Sequence, residues 1–379
     1  MNDLVIALNY YRPYVSGLTN VARDVAEGLA ARGWRVTVVA SQHSPELPLE
    51  EILDGVRVVR TPVALRLGKG VISPSFVSTV RRESRNARVV NIHAPMLEAG
   101  LMAKACQAPV VLTYHCDVSL PPSLLGSLQN KLIDISTAAA ARAATFVTVS
   151  SQDYADHSRL REALSLRRRV IPPTCHVRTG GTPRYRDGSG MHVGFLGRIV
   201  EEKGVEYLVE GFRALDDPEA RLLIAGDFNG VAGGSVIDRV RERMAGDARI
   251  KLLGFLPDAA LDDFYASTDV FALPSVNPFE AFGIVQVEAM MRGIPVIASD
   301  LPGVRQPVLA TGMGRIVPPR SSVAVTEALS FLRDTQIDLE GGAATARTLY
   351  AFETVLDCYT AVFEEAAATA LGRQSGVRA

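Results

Sequence analysis

Short apolar runs alternate with helix-length amphipathic stretches along this chain, and the alternation occurs twice. The first run, Leu4 to Leu8, is too short and too β-branched to be a helix of its own. A turn-rich loop follows from Asn9 to Gly17, with Pro13 and Ser16-Gly17 inside it. Thr19 is placed to cap a helix running to about Arg32 and ended by Gly33. Trp34 to Ala40 (WRVTVVA) is a second buried-strand run. Strand, loop, helix and strand in about forty residues predict a βαβ unit on a parallel sheet. Further strands are predicted at Val56–Val59, Val89–Ile92, Val110–Thr113 and Phe146–Val149, with helix-length segments between them.

From Pro172-Pro173 to Gly190 the pattern breaks: four Gly, three Pro and several basic residues show no periodicity. This predicts a first domain over 1–174, a linker over 175–190 and a second domain over 191–352. After it the alternation restarts, with strands at His192–Leu196, Arg221–Ala225, Ile250–Leu252, Val270–Leu273, Pro295–Ala298 and Arg315–Val317. Helices are predicted from Val205, around Val236–Met244, at Ala259–Ala266 and at Val285–Met291. The fold class is therefore α/β, with two doubly wound domains of similar size. Such sheets bind ligands at the carboxyl ends of their strands, so two facing domains would enclose a cleft.

Composition narrows the picture. With 379 residues, 47% of them apolar and 21% charged, the chain can bury two ordinary cores. No run approaches the ~18 apolar residues of a membrane span. Met1 to Leu8 lacks the basic region and the length of a secretory signal, so a cytoplasmic location is expected. Cys106, Cys116, Cys175 and Cys358 are scattered, which indicates neither a disulfide framework nor a zinc site. The net charge of −1 conceals an asymmetry: residues 1–175 hold 20 Lys/Arg against 14 Asp/Glu, and the remainder 20 against 27. A basic first half admits an anionic partner surface, or ordinary drift in surface charge.

Two stretches carry candidate chemistry. Gly194-Phe-Leu-Gly197-Arg198-Ile-Val-Glu-Glu-Lys203-Gly204 leaves a strand, sets two cations on a loop and enters a helix. Cations beside a helix N-terminus suit a phosphate or diphosphate, and a solvated basic loop fits the same spacing. No G-x-x-x-x-G-K-[ST] and no G-x-G-x-x-G after a strand occurs, which excludes a P-loop and a dinucleotide-dehydrogenase fingerprint. The second stretch runs from Pro274 to Met290, with Glu280 on a Pro-rich loop and Glu288 inside the next helix. Eight residues of helix span about 12 Å, beyond the ~5–9.5 Å of a hydrolytic carboxylate pair. These two acids suit separate polyols on one long ligand. The amides of Phe282, Gly283 and Ile284 at the helix start could bind hydroxyls or phosphate.

Gly194 to Gly204, followed some seventy-five residues later by Glu280-x7-Glu288 after Leu-Pro-Ser, resembles the retaining glycosyltransferases of the GT-B fold, family 4. Tyr11-Arg12-Pro13 with Ser16-Gly17 resembles that family's N-terminal glycine loop. Asn91-Ile-His93-Ala-Pro95 and Thr113-Tyr-His115-Cys-Asp117 resemble its two histidine segments, and Gly254-Phe255 its base-binding turn. The resemblance implies that Arg198 and Lys203 neutralise a donor diphosphate and that Glu288 binds the ribose. It implies that Glu280 and the amides of Phe282 to Ile284 hold the transferred sugar, with His115 near the reacting carbon. Gly17 would let backbone approach the phosphate, Phe255 and Leu256 would lie by the base, and Tyr11, His93 and Asp117 would serve the acceptor side. The family's double glycine is Ser16-Gly17 here, and its glycine–x–Pro-Glu segment is Gly303-Val-Arg305-Gln306-Pro307, an amide in place of a carboxylate.

By the same resemblance the activity is hexosyl transfer from a nucleotide-diphosphate sugar, UDP or GDP, to an acceptor hydroxyl, with retention. No metal and no cofactor beyond the donor is expected, and no nucleic acid. A sugar-nucleotide 2-epimerase of the same fold and a non-catalytic nucleotide-sugar-binding protein are the alternatives. The acceptor is expected to be lipid-linked or a small molecule. Val63 to Phe76 mixes apolar residues with Arg66 and Lys69, and Arg81, Arg85 and Arg88 are spaced to share one helical face. Such a face fits peripheral contact with the inner membrane surface or a solubilising role. Arg167-Arg168-Arg169 reads as a solvated run, and Ala366 to Ala379 as a frayed end. Before that end, the helical stretch within 353–379 is expected to pack back on the first domain.

Overall fold

The computed structural model describes residues 3–67, 70–118, 123–229 and 234–376. The chain divides into two units, Met1–Thr174 with Phe352–Ala379, and Cys175–Ala351.

The first unit is built on β1 (Leu4–Ala7), β2 (Val36–Gln42), β3 (Glu50–Leu53) and β4 (Val56–Pro62). A small antiparallel hairpin, β5 (Leu65–Leu67) with β6 (Gly70–Ile72), stands apart from the main sheet. β7 (Val89–Ala94), β8 (Val110–Tyr114), β9 (Phe146–Val149) and β10 (Arg168–Val170) complete the unit. The sheet order is β10-β9-β8-β7-β1-β2-β4-β3, parallel except for the β3–β4 pair. β1 and β7 are buried along their whole length, as expected of parallel strands covered by helices on both faces. The strand order reverses between β1 and β7, the position where doubly wound sheets open a crevice.

Local chemistry explains where expectation and structure part. The helix Gly17–Ala31 is capped by Ser16, not Thr19: Ser16 is extended and its Oγ accepts from the Thr19 amide at 3.2 Å. The helix Phe76–Glu83 stops before Arg85 and Arg88, so the three arginines share no helical face. Arg88 instead lies over the Trp34 ring, 5.4 Å from its centroid. Lys69 lies outside the described residues. Arg168 and Arg169 form edge strand β10 rather than a solvated run; Arg169 stacks 4.3 Å over Phe146 and pairs with Glu365 at 2.9 Å. The helix Phe352–Gly376 continues through the stretch read as frayed, because Val362, Phe363, Ala366 and Ala367 are buried. It packs on the first helix at Gly28, where a Cβ would come within 2.8 Å of Leu356 and Phe352.

The second unit has β11 (His192–Leu196), β12 (Arg221–Ala225), β13 (Ile250–Gly254), β14 (Val270–Leu273), β15 (Val296–Ser299) and β16 (Gly314–Val317). Their order is β13-β12-β11-β14-β15-β16, all parallel. One apolar core fills each face of this sheet. Residues 175–190 belong to this unit and are pinned to the helix Asp258–Ala266 and the turn after it. Thr182 N donates to Asp263 at 2.7 Å, Tyr185 N to Ser267 Oγ at 3.1 Å, and Arg186 pairs with Asp269 at 2.8 Å. The reversal of strand order falls between β11 and β14, which places the loops after Leu196 and Leu273 side by side.

Candidate active site

Those two loops hold Arg198, Lys203 and Glu280. The first makes a single 3-10 turn, Glu201–Lys203, then reaches Gly204 at φ 61° before the helix Val205–Arg213. A Cβ on Gly204 would sit 2.3 Å from the Pro274 carbonyl oxygen and 2.6 Å from Val276. The Val276 amide donates to the Glu202 carbonyl at 2.9 Å, and Arg320 donates to the Val276 carbonyl at 3.1 Å. The loops are thus seamed by backbone contact, and across the seam Lys203 pairs with Glu280. Arg198 pairs with Glu202 at 2.5 Å on the same turn.

The Glu280 loop is shaped by an Asx turn, with Asn277 Oδ1 accepting from the Phe279 amide at 3.0 Å. Gly283 then caps the helix Ile284–Met291 at φ 84°, where a Cβ would meet Leu273 at 2.3 Å and Gln286 at 2.8 Å. Phe282 is buried edge-on against Tyr350, and Gln286 Nε2 donates to the Phe282 carbonyl at 2.6 Å. The amides of Phe282, Gly283 and Ile284 therefore stand at the helix N-terminus, where the first N–H groups have no partner within the helix.

Glu288 is in a different environment from Glu280. It is 6% exposed, accepts from the Tyr265 hydroxyl at 2.9 Å, and lies 3.3 Å from Arg178 Nε. Arg178 also pairs with Asp258 at 2.7 Å. Burial raises the Glu288 carboxyl above its ordinary range, opposed by Arg178 and Tyr265. Arg178 was not among the residues expected at the site, because it lies in the Gly/Pro-rich segment read as a linker. Gly254 takes φ 72° at the end of β13, and Phe255 beyond it is 71% exposed while Leu256 packs on the core.

In the first unit, Gly17 is the first helical residue, and a Cβ there would meet nothing within 4 Å. β7 and β8 run in parallel register with His93 opposite Thr113. His93 Nδ1 is 2.9 Å from His115 Nε2, and His93 Nε2 is 2.8 Å from Asn91 Oδ1. The two ring planes are inclined by 25°, with centroids 5.0 Å apart. Burial lowers the His115 imidazole to about 3, and burial with the neighbouring ring lowers His93 well below its ordinary value. Both nitrogens of His93 are engaged and it is 1% exposed, so it reaches a ligand only through His115.

Tyr11 and Asp117 also lie inside the first unit. Tyr11 is fully buried. Asp117 is 9% exposed; it accepts from Tyr114 and from Ser158 Oγ at 2.8 Å, and its amide donates to Tyr154 at 2.8 Å. Both side chains are buried. Among the described residues no helix is long and apolar enough to cross a membrane.

Two family models match the chain. The model of glycosyl transferases group 1 matches residues 187–340, and that of the glycosyl transferase 4-like domain matches residues 16–174. A phosphatidyl-myo-inositol mannosyltransferase of Mycolicibacterium smegmatis is 31% identical over 343 residues, 85% of this chain and 82% of that protein. The chain belongs to the group 1 glycosyltransferases. A second relative of this glycosyltransferase, the GDP-mannose-dependent alpha-mannosyltransferase of the same organism, is 29% identical over 340 residues, 83% of this chain and 84% of that one. In structure it is similar to sucrose-phosphate synthase of Thermosynechococcus elongatus: TM-score 0.79, 21% identity, 97% of this chain and 100% of that one. The fold of this family 4 glycosyltransferase is GT-B, with a Rossmann-like sheet in each unit.

Proposed function

We propose that this glycosyltransferase moves a hexosyl group from a nucleoside diphosphate hexose to an acceptor hydroxyl, with retention and without a metal ion. The observation that supports this most is the seam at Gly204, which brings Arg198, Lys203, Glu280 and a helix N-terminus onto two adjoining loops of one sheet. Arg198, Lys203 and the amides of Phe282 to Ile284 would supply the positive charge that a diphosphate needs as it leaves, the electrostatic contribution that commonly dominates. That charge is the reason for proposing metal independence. Glu280 would accept from hydroxyls of the transferred sugar and Glu288 from those of the ribose. Phe255, already solvent-facing, would cover the base together with Leu256, and the Gly17 amide would approach a phosphate oxygen. His115 would accept from a hydroxyl of the substrate.

The donor C1–O bond to phosphate breaks as the acceptor oxygen forms a bond to C1 on the same face. The acceptor proton passes to the departing phosphate oxygen, so no protein base is required for it. The names of the two relatives make GDP-mannose with phosphatidyl-myo-inositol the first donor–acceptor pair to try.

The reading is tested by thermal denaturation in EDTA with a panel of nucleoside diphosphates and their sugars. A ligand at 100 times its Kd stabilises by about 2.7 kcal/mol, a shift of several degrees. Mass spectrometry then follows transfer to the acceptor. A shift with one nucleoside diphosphate and a metal-free glycosylated product are expected. No shift with any member, or donor isomerised without acceptor, would overturn the reading.

A further inference from the structure

The histidine pair is the part of this molecule that the donor chemistry leaves unexplained. Asn91 and His93 alternate on one face of β7, and Thr113 and His115 on the matching face of β8 and its end. Asn91 Nδ2 donates to the Val111 carbonyl at 3.0 Å and to Thr113 Oγ1 at 2.8 Å. A carbonyl can only accept, so these two bonds fix the amide orientation and leave Asn91 Oδ1 as an acceptor. The ring nitrogen facing it, His93 Nε2, must therefore carry a proton. A neutral imidazole has one N–H, so His93 Nδ1 is the acceptor, and the proton in the 2.9 Å contact belongs to His115 Nε2. His115 is then left with a bare lone pair on Nδ1.

The anchor of this chain is rigid. Thr148 Oγ1 lies 2.9 Å from Thr113 Oγ1, and the buried Tyr359 hydroxyl of the C-terminal helix bonds both threonines. The His115 amide donates to the Ala94 carbonyl at 3.0 Å, which ties the end of β8 to that of β7.

We infer that Asn91 and His93 are positioning residues that lock His115 in the Nε2–H tautomer, so that Nδ1 presents an acceptor to a substrate hydroxyl. This rests on the proposed role of His115. The pair selects for a ligand group that donates at this point, and a group that can only accept is refused. The lock is independent of the donor site, so it governs turnover and orientation rather than nucleotide affinity.

The test uses the full chain labelled with 15N-histidine. In the wild type, the proton-bearing nitrogen of His115 and of His93 is expected to be Nε2 near pH 7; an Nδ1–H or doubly protonated His115 overturns the proposal. His93→Phe removes the acceptor for His115 Nε2–H. It is expected to mix the His115 tautomers and lower kcat about 10- to 100-fold, with the donor KM within about 3-fold. His93→Gln can offer Oε1 to His115 and Nε2 to Asn91, and is expected to keep the single tautomer and restore most of kcat. A His93→Phe enzyme with wild-type kcat and unchanged His115 nitrogen signals overturns the lock. His115→Ala separates the two claims: wild-type turnover there refutes the substrate role of His115, whereas the nitrogen spectrum of the wild type decides the tautomer by itself.

Discussion

Gly204→Ala tests the seam between the two donor loops most directly. The perturbation has two parts. An L-residue at φ 61° carries about 1–2 kcal/mol of steric strain. The new Cβ would also stand 2.3 Å from the Pro274 carbonyl oxygen, a backbone atom that cannot rotate away, and such overpacking costs about 1–3 kcal/mol. Together these give about 2–5 kcal/mol, or a fall in Tm of about 5–15 °C for a unit of this size. Gly246→Ala is the control: its φ is 75° but a Cβ there meets nothing within 4 Å, so only the strain of about 1–2 kcal/mol applies. Urea unfolding of both variants, followed by nucleoside diphosphate titration, separates the contributions. Gly204→Ala is expected to be the less stable by at least ~1 kcal/mol and the only one to lose affinity, since moving the seam shifts Lys203 away from the amides at the start of the helix Ile284–Met291. Equal stabilities, or an unchanged affinity in Gly204→Ala, would refute the claim that backbone contact at Gly204 sets the site.

Lys203→Met should weaken nucleoside diphosphate binding by about 10- to 100-fold, the worth of one charge-assisted hydrogen bond, read by calorimetry; an unchanged Kd removes Lys203 from the site. Glu280→Gln should leave diphosphate affinity equal or raise it, since Lys203 loses its competing partner, while lowering kcat by 100-fold or more; a parallel loss of both would mean Glu280 acts only structurally. The His115 imidazole is held at about 3 in the folded chain against 6.5 unfolded, so the unfolded state binds the extra proton between those values. Stability is therefore fully present above pH 6.5 and lost as the pH falls toward 3, by up to ~1.4 kcal/mol per unit, and His115→Phe should flatten that slope in urea titrations at pH 7, 6 and 5.

The sequence was most readable where burial alone decides structure. β11 and β12 were delimited to the residue because their apolar runs are flanked by His192 and Gly197, and by Arg221 and Gly226. β3 and β10 escaped because Glu50–Leu53 and Arg168–Val170 are edge strands whose charges find partners in Arg57, Arg60, Asp156 and Glu365. Nothing local encodes those pairings. Thr19 and Ser16 are both competent caps, and the choice between them depends on which one stays extended. Within the site, Arg198, Lys203 and Glu280 could be placed on loops from the strand–loop–helix pattern, whereas the pairing of Lys203 with Glu280 required the sheet order that makes β11 and β14 neighbours. Arg178 was invisible for the same reason, being brought to Glu288 by the packing of a segment without periodicity. The His93 network was within reach: Asn-x-His and Thr-x-His on adjacent strands of one parallel sheet place four polar side chains on one face, a pattern that predicts internal hydrogen bonds.

Arg198, Lys203 and Arg178 each pair with a carboxylate, which has a consequence for how a ligand would enter. Arg198 faces Glu202, Lys203 faces Glu280 and Arg178 faces Glu288. An unpaired cation in a partly dry pocket would be destabilising, so these acids keep the empty site tolerable to the fold. On the proposed roles, a diphosphate would displace carboxylates as it binds, and its net affinity would be the difference between two strong interactions. Such an exchange favours ligands whose geometry satisfies Arg198, Lys203 and the helix amides at once, and it penalises single anions that break an ion pair without replacing it. It also links the two ends of the donor. On the proposed roles, a phosphate that took Lys203 would leave Glu280 without its partner and able to accept from sugar hydroxyls, so the sugar-binding acid would be released only after the leaving group is in place. A nucleoside monophosphate, with one phosphate fewer, should then leave the Lys203–Glu280 pair closed and bind weakly whatever its base.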